Sequence, residues 1–153
     1  MTALHGMYQE VILDHSRHPH GRGLREPYDA EAHHVNPTCG DEITVRVRLD
    51  GDRVAEVSHE GVGCSISQAS ASVLSDLVAG RSVAESLRLQ RRFQDLVQGA
   101  PEAAAEDELG DAVAFAGVAR YPMRVKCALL GWMAWKDATA RAVAAQAHAS
   151  EER

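Results

Sequence analysis

The sequence predicts one mixed domain in which a β-hairpin is followed by several helices. Its 153 residues suit a single hydrophobic core. Apolar and polar residues alternate between Ile43 and Leu49, as in a strand with one buried face, and later stretches repeat apolar residues at helical spacing. With 45% hydrophobic and 25% charged residues, the composition is typical of folded proteins. We therefore treat residues 1–153 as one domain.

The amino-terminal segment predicts a first helix that ends near His15, before Pro19 and Gly21. Residues Ser16 to Thr38 are rich in His, Arg, Pro and Gly and show no periodicity, which favours an extended surface connection. The helix is indicated by apolar residues three or four positions apart, at Leu4, Met7, Tyr8, Val11 and Ile12.

The hairpin has its turn at Asp50-Gly51-Asp52, and its second arm runs from about Arg53 to Glu60. Gly61-Val62-Gly63 ends that arm immediately before Cys64. A helical pattern then begins at Ile66 and is closed by Gly80, so Cys64 is expected just outside a helix amino terminus. The peptide N–H groups and the helix dipole favour a thiolate at that position.

Two further helices are predicted. Ser82 and Glu85 match a capping box and begin a helix that runs through about Val97. The acidic, alanine-rich stretch from Glu102 to Asp111 is compatible with either a helix or a solvated loop. Pro122 then begins the last helix, which carries Cys127 near its start.

Charge and cysteine content exclude several classes of protein. The net charge is −6 and no basic tract is present, so we expect no nucleic-acid partner. We find neither a secretory signal pattern nor a charge-free stretch that could span a bilayer, and we expect a cytoplasmic protein with no membrane partner. Three dispersed cysteines suit reduced thiols used for metal binding or chemistry better than a disulfide framework.

Cys39, Asp41, Cys64 and Cys127 are the candidate ligands of one metal ion. Cys39-Gly40-Asp41 places a thiol and a carboxylate two residues apart, and three sulfurs with one oxygen suit tetrahedral Zn²⁺. The spacing alone leaves a simpler alternative open. The cysteines would then be small buried hydrophobic residues, and Asp41 would be a turn residue.

The local context of each cysteine resembles the SufU branch of the IscU/NifU-like scaffold proteins. Three segments carry the resemblance in order, Asn36 to Asp41, Gly61 to Ser72 and Arg124 to Leu130, together with the first helix. The resemblance implies an α+β fold with a small antiparallel β-sheet and helices packed on one side. It also implies Zn²⁺ bound by the four candidate ligands, and a SufS-type cysteine desulfurase as the partner that delivers persulfide sulfur to Cys39 for iron–sulfur cluster assembly.

Two departures from the IscU pattern favour sulfur relay. Lys126 stands where IscU-type members carry a histidine, and Arg120 to Arg124 does not reproduce their chaperone-recognition segment. The long interval between Cys64 and Cys127 also resembles the insertion of SufU-type members. The resemblance further implies that a desulfurase histidine replaces Cys39 at the zinc, and the glycine beside Cys39 makes this the cysteine expected to move.

Two other functions stay open at this point. The same four residues could assemble a transient [2Fe–2S] cluster as a scaffold, or they could form a structural zinc module that only binds a partner. Arg124, one helical turn before Cys127, could hold Asp41 or incoming sulfur, although an exposed surface arginine is an equal alternative. His15, His18 and His20 could form a second metal site, but their setting favours a polar loop that contacts a partner.

Overall fold

The structure is a computed structural model that describes the backbone of residues 2–99 and 107–151 and the side chains of residues 9–99 and 108–149. It contains four α-helices, three strands and one 3₁₀ segment within those ranges. In chain order these are α1 (Thr2–Arg17), β1 (Ala30–Asn36), β2 (Asp41–Asp50), β3 (Arg53–Val62), α2 (Ser65–Val78), α3 (Val83–Val97), the 3₁₀ segment (Asp107–Arg120) and α4 (Pro122–Glu151).

The strands form one antiparallel sheet in the order β1-β2-β3. Alternate residues of β2 are buried, beginning at Asp41 and Ile43, because helices cover only one face of the sheet. Asn36 pairs with Asp41, and Glu42 pairs with Val62. The end of β1, the start of β2 and the end of β3 therefore meet at one edge, and this edge carries the candidate site.

Strand β1 corrects the sequence interpretation, which assigned Ser16 to Thr38 to an extended connection. Ala30–Asn36 instead pairs with β2 along its full length. Only Ala32 and Asn36 of this strand are buried, and Val35 is exposed, so no row of large apolar side chains marks it in the sequence. Pairing with β2 rather than intrinsic β-propensity explains this strand.

Helix α4 packs across β1, β2 and α2 and forms the centre of the core. Gly131 allows the approach, since a Cβ there would already touch Ala71 and Ile43 at 3.4 Å. Trp132 is fully buried and stacks on Phe93 of α3, with ring centroids 4.3 Å apart. Both tryptophans of α4 are fully buried in this core.

The structure bears on two further predictions, the capping box before α3 and the helix or loop between Glu102 and Asp111. The Ser82 hydroxyl accepts the Glu85 N–H at 3.1 Å, which confirms the start of α3. Part of the Glu102–Asp111 stretch lies outside the described residues, and from residue 107 onward the backbone is 3₁₀ with a non-helical Gly110. Arg88 binds Glu108 through two nitrogens, at 2.6 and 2.8 Å, and so attaches this segment to α3.

Candidate metal centre

Cys39 lies in the turn of four residues that joins β1 to β2. The N–H groups of Cys39 and Gly40 donate to the Asn36 carbonyl at 3.3 and 2.9 Å. Gly40 has φ +74°, a conformation that favours glycine over other residues. The side chain of Cys39 is exposed at this tip, where a partner can reach it.

Asp41 is the buried carboxylate of the centre, with 2% of its surface exposed. Its Oδ1 accepts the backbone N–H of Cys64 at 3.1 Å, and its Oδ2 lies 3.8 Å from Cys64 Sγ. A Cβ on Gly63 would lie 3.0 Å from Asp41 Oδ1 and 2.2 Å from Ser67 Oγ. Gly63 therefore provides the space in which Asp41 and Cys64 meet.

Cys64 is the N-cap residue of α2, as predicted. Its side chain makes no capping hydrogen bond, so the sulfur is directed to the centre rather than to the helix backbone. The Ser67 hydroxyl donates to the Cys64 carbonyl at 3.0 Å and steadies this first turn. Cys64 thus lies at the positive end of the α2 dipole.

Cys127 lies in the second turn of α4 and is only 3% exposed. Its Sγ is 3.6 Å from Cys39 Sγ, although the two residues are 88 positions apart in sequence. Burial raises the pKa of the Cys127 thiol above its ordinary value, and hydrogen bonds with Asp41 and Cys39 act in the same direction. A metal ion must therefore displace a firmly held proton from this sulfur.

The described structure brings three of the four predicted ligands together, and the fourth, Cys64, lies beside Asp41. Donor atoms of Cys39, Asp41 and Cys127 all lie within 4.8 Å of one another, and Cys64 joins them through Asp41. Ligands of a tetrahedral Zn²⁺ ion lie about 3.5–3.8 Å apart, given bonds of about 2.0 to 2.3 Å. The observed separations of 3.6 and 3.8 Å match that spacing. The chemistry of the donor set and these two separations fit zinc.

Arg124 does not take the role considered for it from the sequence. Its guanidinium lies over the Tyr121 ring, 4.7 Å from the centroid, and no hydrogen bond to Asp41 is found among the described residues. Both residues line an apolar groove of about 410 Å³ between α1, α2 and the 3₁₀ segment, beside the Cys64 turn. This groove was not predicted, because its walls come from segments far apart in sequence.

The histidines near the end of α1 are not a simple polar loop. His15 is 4% exposed, and its ring nitrogens contact Ser72 Oγ at 2.7 Å and Asp111 Oδ2 at 2.9 Å. His20 pairs with Asp76, whereas His18 is exposed beside Asp14. The interpretation as a partner-contacting loop was therefore wrong for His15, which is a buried contact between α1 and α2.

In the part of the chain that the structure describes, none of the helices combines the length and apolar character required to cross a membrane. This holds also for the 30-residue α4.

Comparison with known proteins gives one consistent result. Residues 7–128 match the family model described as the NifU-like N-terminal domain. The iron–sulfur cluster assembly scaffold protein IscU of Streptococcus pyogenes serotype M1 is 42% identical over 95% of this chain and 91% of its own length. The zinc-dependent sulfurtransferase SufU of Bacillus subtilis strain 168 is 39% identical over 88% of this chain and 90% of its own.

Solved structures agree with the sequence comparison. The fold is similar to FiSufU of Fervidobacterium islandicum AW-1, proposed as an iron–sulfur cluster assembly scaffold for the SUF system, with TM-score 0.75 and 34% identity over 88% of this chain and 97% of that one. A NifU-like amino-terminal structure from Brucella abortus also has TM-score 0.75, at 26% identity over 88% of this chain and 93% of that one. The α+β fold predicted from the sequence is confirmed. This chain belongs to the NifU-like N-terminal domain family, together with relatives named IscU and SufU.

Proposed function

We propose that this chain is a zinc-dependent sulfur carrier that accepts persulfide sulfur on Cys39 from a SufS-type cysteine desulfurase. One observation carries the proposal. An exposed cysteine in a glycine-containing turn lies 3.6 Å from a buried one, beside a buried carboxylate. The similarity to the Bacillus subtilis sulfurtransferase supports the same function, and iron–sulfur cluster assembly is the destination that the other relatives indicate.

We assign Cys39, Asp41, Cys64 and Cys127 as the zinc ligands. Asp41 and Cys127 are buried and held by β2 and α4, so they form the fixed part of the ligand set. When bound, the zinc ion would supply a charge that keeps the thiols deprotonated at neutral pH. Without it, the raised pKa of Cys127 keeps that residue protonated.

Cys39 and Cys64 are both exposed, and we assign the transfer to Cys39 because it lies in the glycine-containing turn between β1 and β2. In the transfer step, the Cys39 thiolate attacks the outer sulfur of the desulfurase persulfide. A new S–S bond forms between Cys39 Sγ and that outer sulfur, the S–S bond of the donor breaks, and the donor cysteine leaves as a thiolate. The reaction exchanges one persulfide for another and needs no oxidant. Cys127 lacks the exposure for such an attack.

Mass spectrometry after incubation with desulfurase and free cysteine tests this proposal. We expect the peptide that contains Cys39 to gain the mass of one sulfur atom, and we expect Cys39→Ser to gain none. Sulfur on Cys64 instead of Cys39 would contradict the assignment. The absence of sulfur on every cysteine, with zinc bound, would favour a structural zinc module that only binds a partner.

A second candidate function is a scaffold on which a [2Fe–2S] cluster is assembled by the same three cysteines and Asp41. The IscU relative at 42% identity favours it. Reconstitution with iron and sulfide distinguishes the two functions. A scaffold develops visible charge-transfer absorbance and transfers the cluster intact, whereas a sulfur carrier stays colourless, holds one zinc ion and stimulates the desulfurase.

The wider setting is part of the same proposal. We propose that residues 1–153 act as one domain, that the protein works in the cytoplasm, and that other iron–sulfur assembly components receive the sulfur. Its net charge of −6 continues to argue against nucleic acid as a partner.

A further inference from the structure

A second group of metal-binding side chains lies at the opposite end of α2. One ring nitrogen each from His15 and His20 and one carboxylate oxygen from Asp76 lie within 4.8 Å of one another. Twelve residues of helix separate Cys64 from Asp76, which corresponds to about 18 Å along the axis. This cluster shares no residue with the cysteine centre.

We propose that His15, His20 and Asp76 form a second site for a divalent first-row transition metal ion. Two imidazoles and one carboxylate suit ions such as Zn²⁺, Co²⁺ or Fe²⁺, and they are poorly suited to Mg²⁺ and Ca²⁺, which prefer oxygen ligands. Sites with two histidines and one carboxylate commonly leave coordination positions open for water or another ligand.

Ser72 positions both histidines. Its hydroxyl contacts His15 Nδ1 at 2.7 Å and accepts the backbone N–H of His20 at 2.8 Å. The two imidazole rings are consequently 4.9 Å apart, centroid to centroid, at an angle of 60°. His15 is 4% exposed and cannot reorient freely, so one ligand is already fixed before a metal ion arrives.

The other two ligands can move the short distance that a metal ion requires. The side chains of His20 and Asp76 are 49% and 53% exposed. Their ring nitrogen and carboxylate oxygen are in hydrogen-bond contact at 2.5 Å. A metal ion would replace this hydrogen bond, and rotation of these two exposed side chains would bring all three donors to about 3.3 Å separation.

A fourth donor and space for water lie beside them. Asp111 Oδ2 is 2.9 Å from His15 Nε2, and this carboxylate is 63% exposed. His15, Asp76 and Asp111, with Val73 and Leu77, line a cavity of about 190 Å³. That volume accommodates an ion together with several waters, since one water occupies about 30 Å³. Asp111 can therefore complete the ligand set from the 3₁₀ segment.

Cobalt titration of the protein that already holds one zinc ion tests the second site independently of the first. We expect one equivalent of Co²⁺ to bind with weak visible absorbance and without the intense thiolate-to-cobalt charge transfer that displacement at the cysteine centre would produce. His20→Gln and Asp76→Asn should each weaken this equivalent by at least about tenfold while the first zinc is retained. His33→Gln, an exposed histidine on β1, is the matched control and should bind as the parent does.

Three results would overturn the proposal: no second equivalent bound at about 100 µM cobalt; unchanged binding by both variants; or an equal loss of binding in the His33 control. None of these results depends on whether Cys39 carries sulfur. Thermal unfolding of the parent should also shift upward with the second equivalent, since the ion would join α1 to α2.

Discussion

Cys39 and Cys127 lie 3.6 Å apart at their sulfur atoms, yet they occupy opposite kinds of structure. Cys39 is exposed in a turn of four residues, where its backbone N–H donates to the Asn36 carbonyl at 3.3 Å. Cys127 is 3% exposed on a helix that packs across the sheet and α2. The centre therefore has a fixed side, which can hold a metal ion, and a free side, which can react. The experiments below separate the two.

Removing the thiol of Cys39, on the free side of the centre, should have the largest effect. Cys39→Ala should keep the fold, because the side chain is exposed, but it should fail to stimulate desulfurase turnover above the level of the desulfurase alone. Alanine production from cysteine measures the turnover, and circular dichroism checks the fold. Thr38→Ala, at the exposed neighbouring position, is the matched control. Normal stimulation by the Cys39 variant would contradict the assignment of Cys39 as the sulfur acceptor.

Removing the carboxylate on the fixed side should weaken the binding of the metal ion. We expect Asp41→Ala to lower zinc affinity by at least about tenfold, because it removes a buried ligand and the acceptor of the Cys64 N–H. A second expected consequence is retention of a reconstituted iron–sulfur cluster, once the oxygen ligand is gone. Competition with a chromophoric chelator measures the affinity, with Glu42→Ala on the exposed face of β2 as control. Unchanged affinity would leave Asp41 only a structural role, as the acceptor of the Cys64 N–H.

A change that adds a single carbon should disturb the same side more mildly. Gly63→Ala places a Cβ 2.2 Å from Ser67 Oγ and 3.0 Å from Asp41 Oδ1, so both side chains must shift. We expect zinc affinity to fall severalfold with little change in the turn that carries Cys39. Gly117→Ala, whose Cβ would meet nothing within 4 Å, is the control. Equal affinities in the two variants would show that Gly63 does not shape the centre.

The smallest expected effect concerns the stability of the fold at acid pH, which we assign to a buried histidine of β3. Burial lowers the pKa of His59, whose Nε2–H donates to the His20 carbonyl at 2.8 Å. When the pH falls below about 6.5, the ordinary pKa of histidine, His59 takes up a proton more readily in the unfolded chain than in the folded one. The free energy of unfolding therefore decreases as the pH decreases, by at most about 1.4 kcal/mol per pH unit. Above that pH the contribution is constant.

Urea unfolding of the parent at a series of pH values from neutral to acid measures this slope. His59→Gln should reduce it, whereas Cys39→Ala should leave it unchanged, because the exposed turn is not involved. An identical slope in the His59 variant would assign the acid sensitivity to other groups.

Local patterns in the sequence were sufficient for most of the fold. The β2–β3 hairpin was predicted because one of its faces is buried and the other is not, which imposes strict alternation on residues such as Val45 and Val47. The start of α2 was predicted from the glycines before Cys64 and the helical pattern after it, and the start of α3 was predicted because a cap is a local requirement, which Ser82 meets. Pro122 marked the start of α4 for the same reason.

Two elements were missed because their stability is not local. Strand β1 buries Ala32 and Asn36 but exposes Val35, so its apolar pattern is weak and its backbone bonds to β2 define it. The 3₁₀ segment depends on the paired contacts between Arg88 and Glu108, which join positions 20 apart. Neither feature leaves a periodic signal in its own stretch of sequence.

The sequence by itself determined the chemistry of this protein: three thiols, one carboxylate beside a glycine, and the motifs around them that identify the family. Only the tertiary structure decided which thiols are exposed, Cys39 and Cys64, and which is buried, Cys127. Pairing of Asn36 with Asp41 exposes Cys39, and packing of α4 buries Cys127 beside it. The burial of Cys127 and its distance from Cys39 depend on contacts between segments up to 88 residues apart. The spacing of residues along the chain does not predict such contacts. The histidine cluster at the far end of α2 has the same origin, since Ser72 brings its members together.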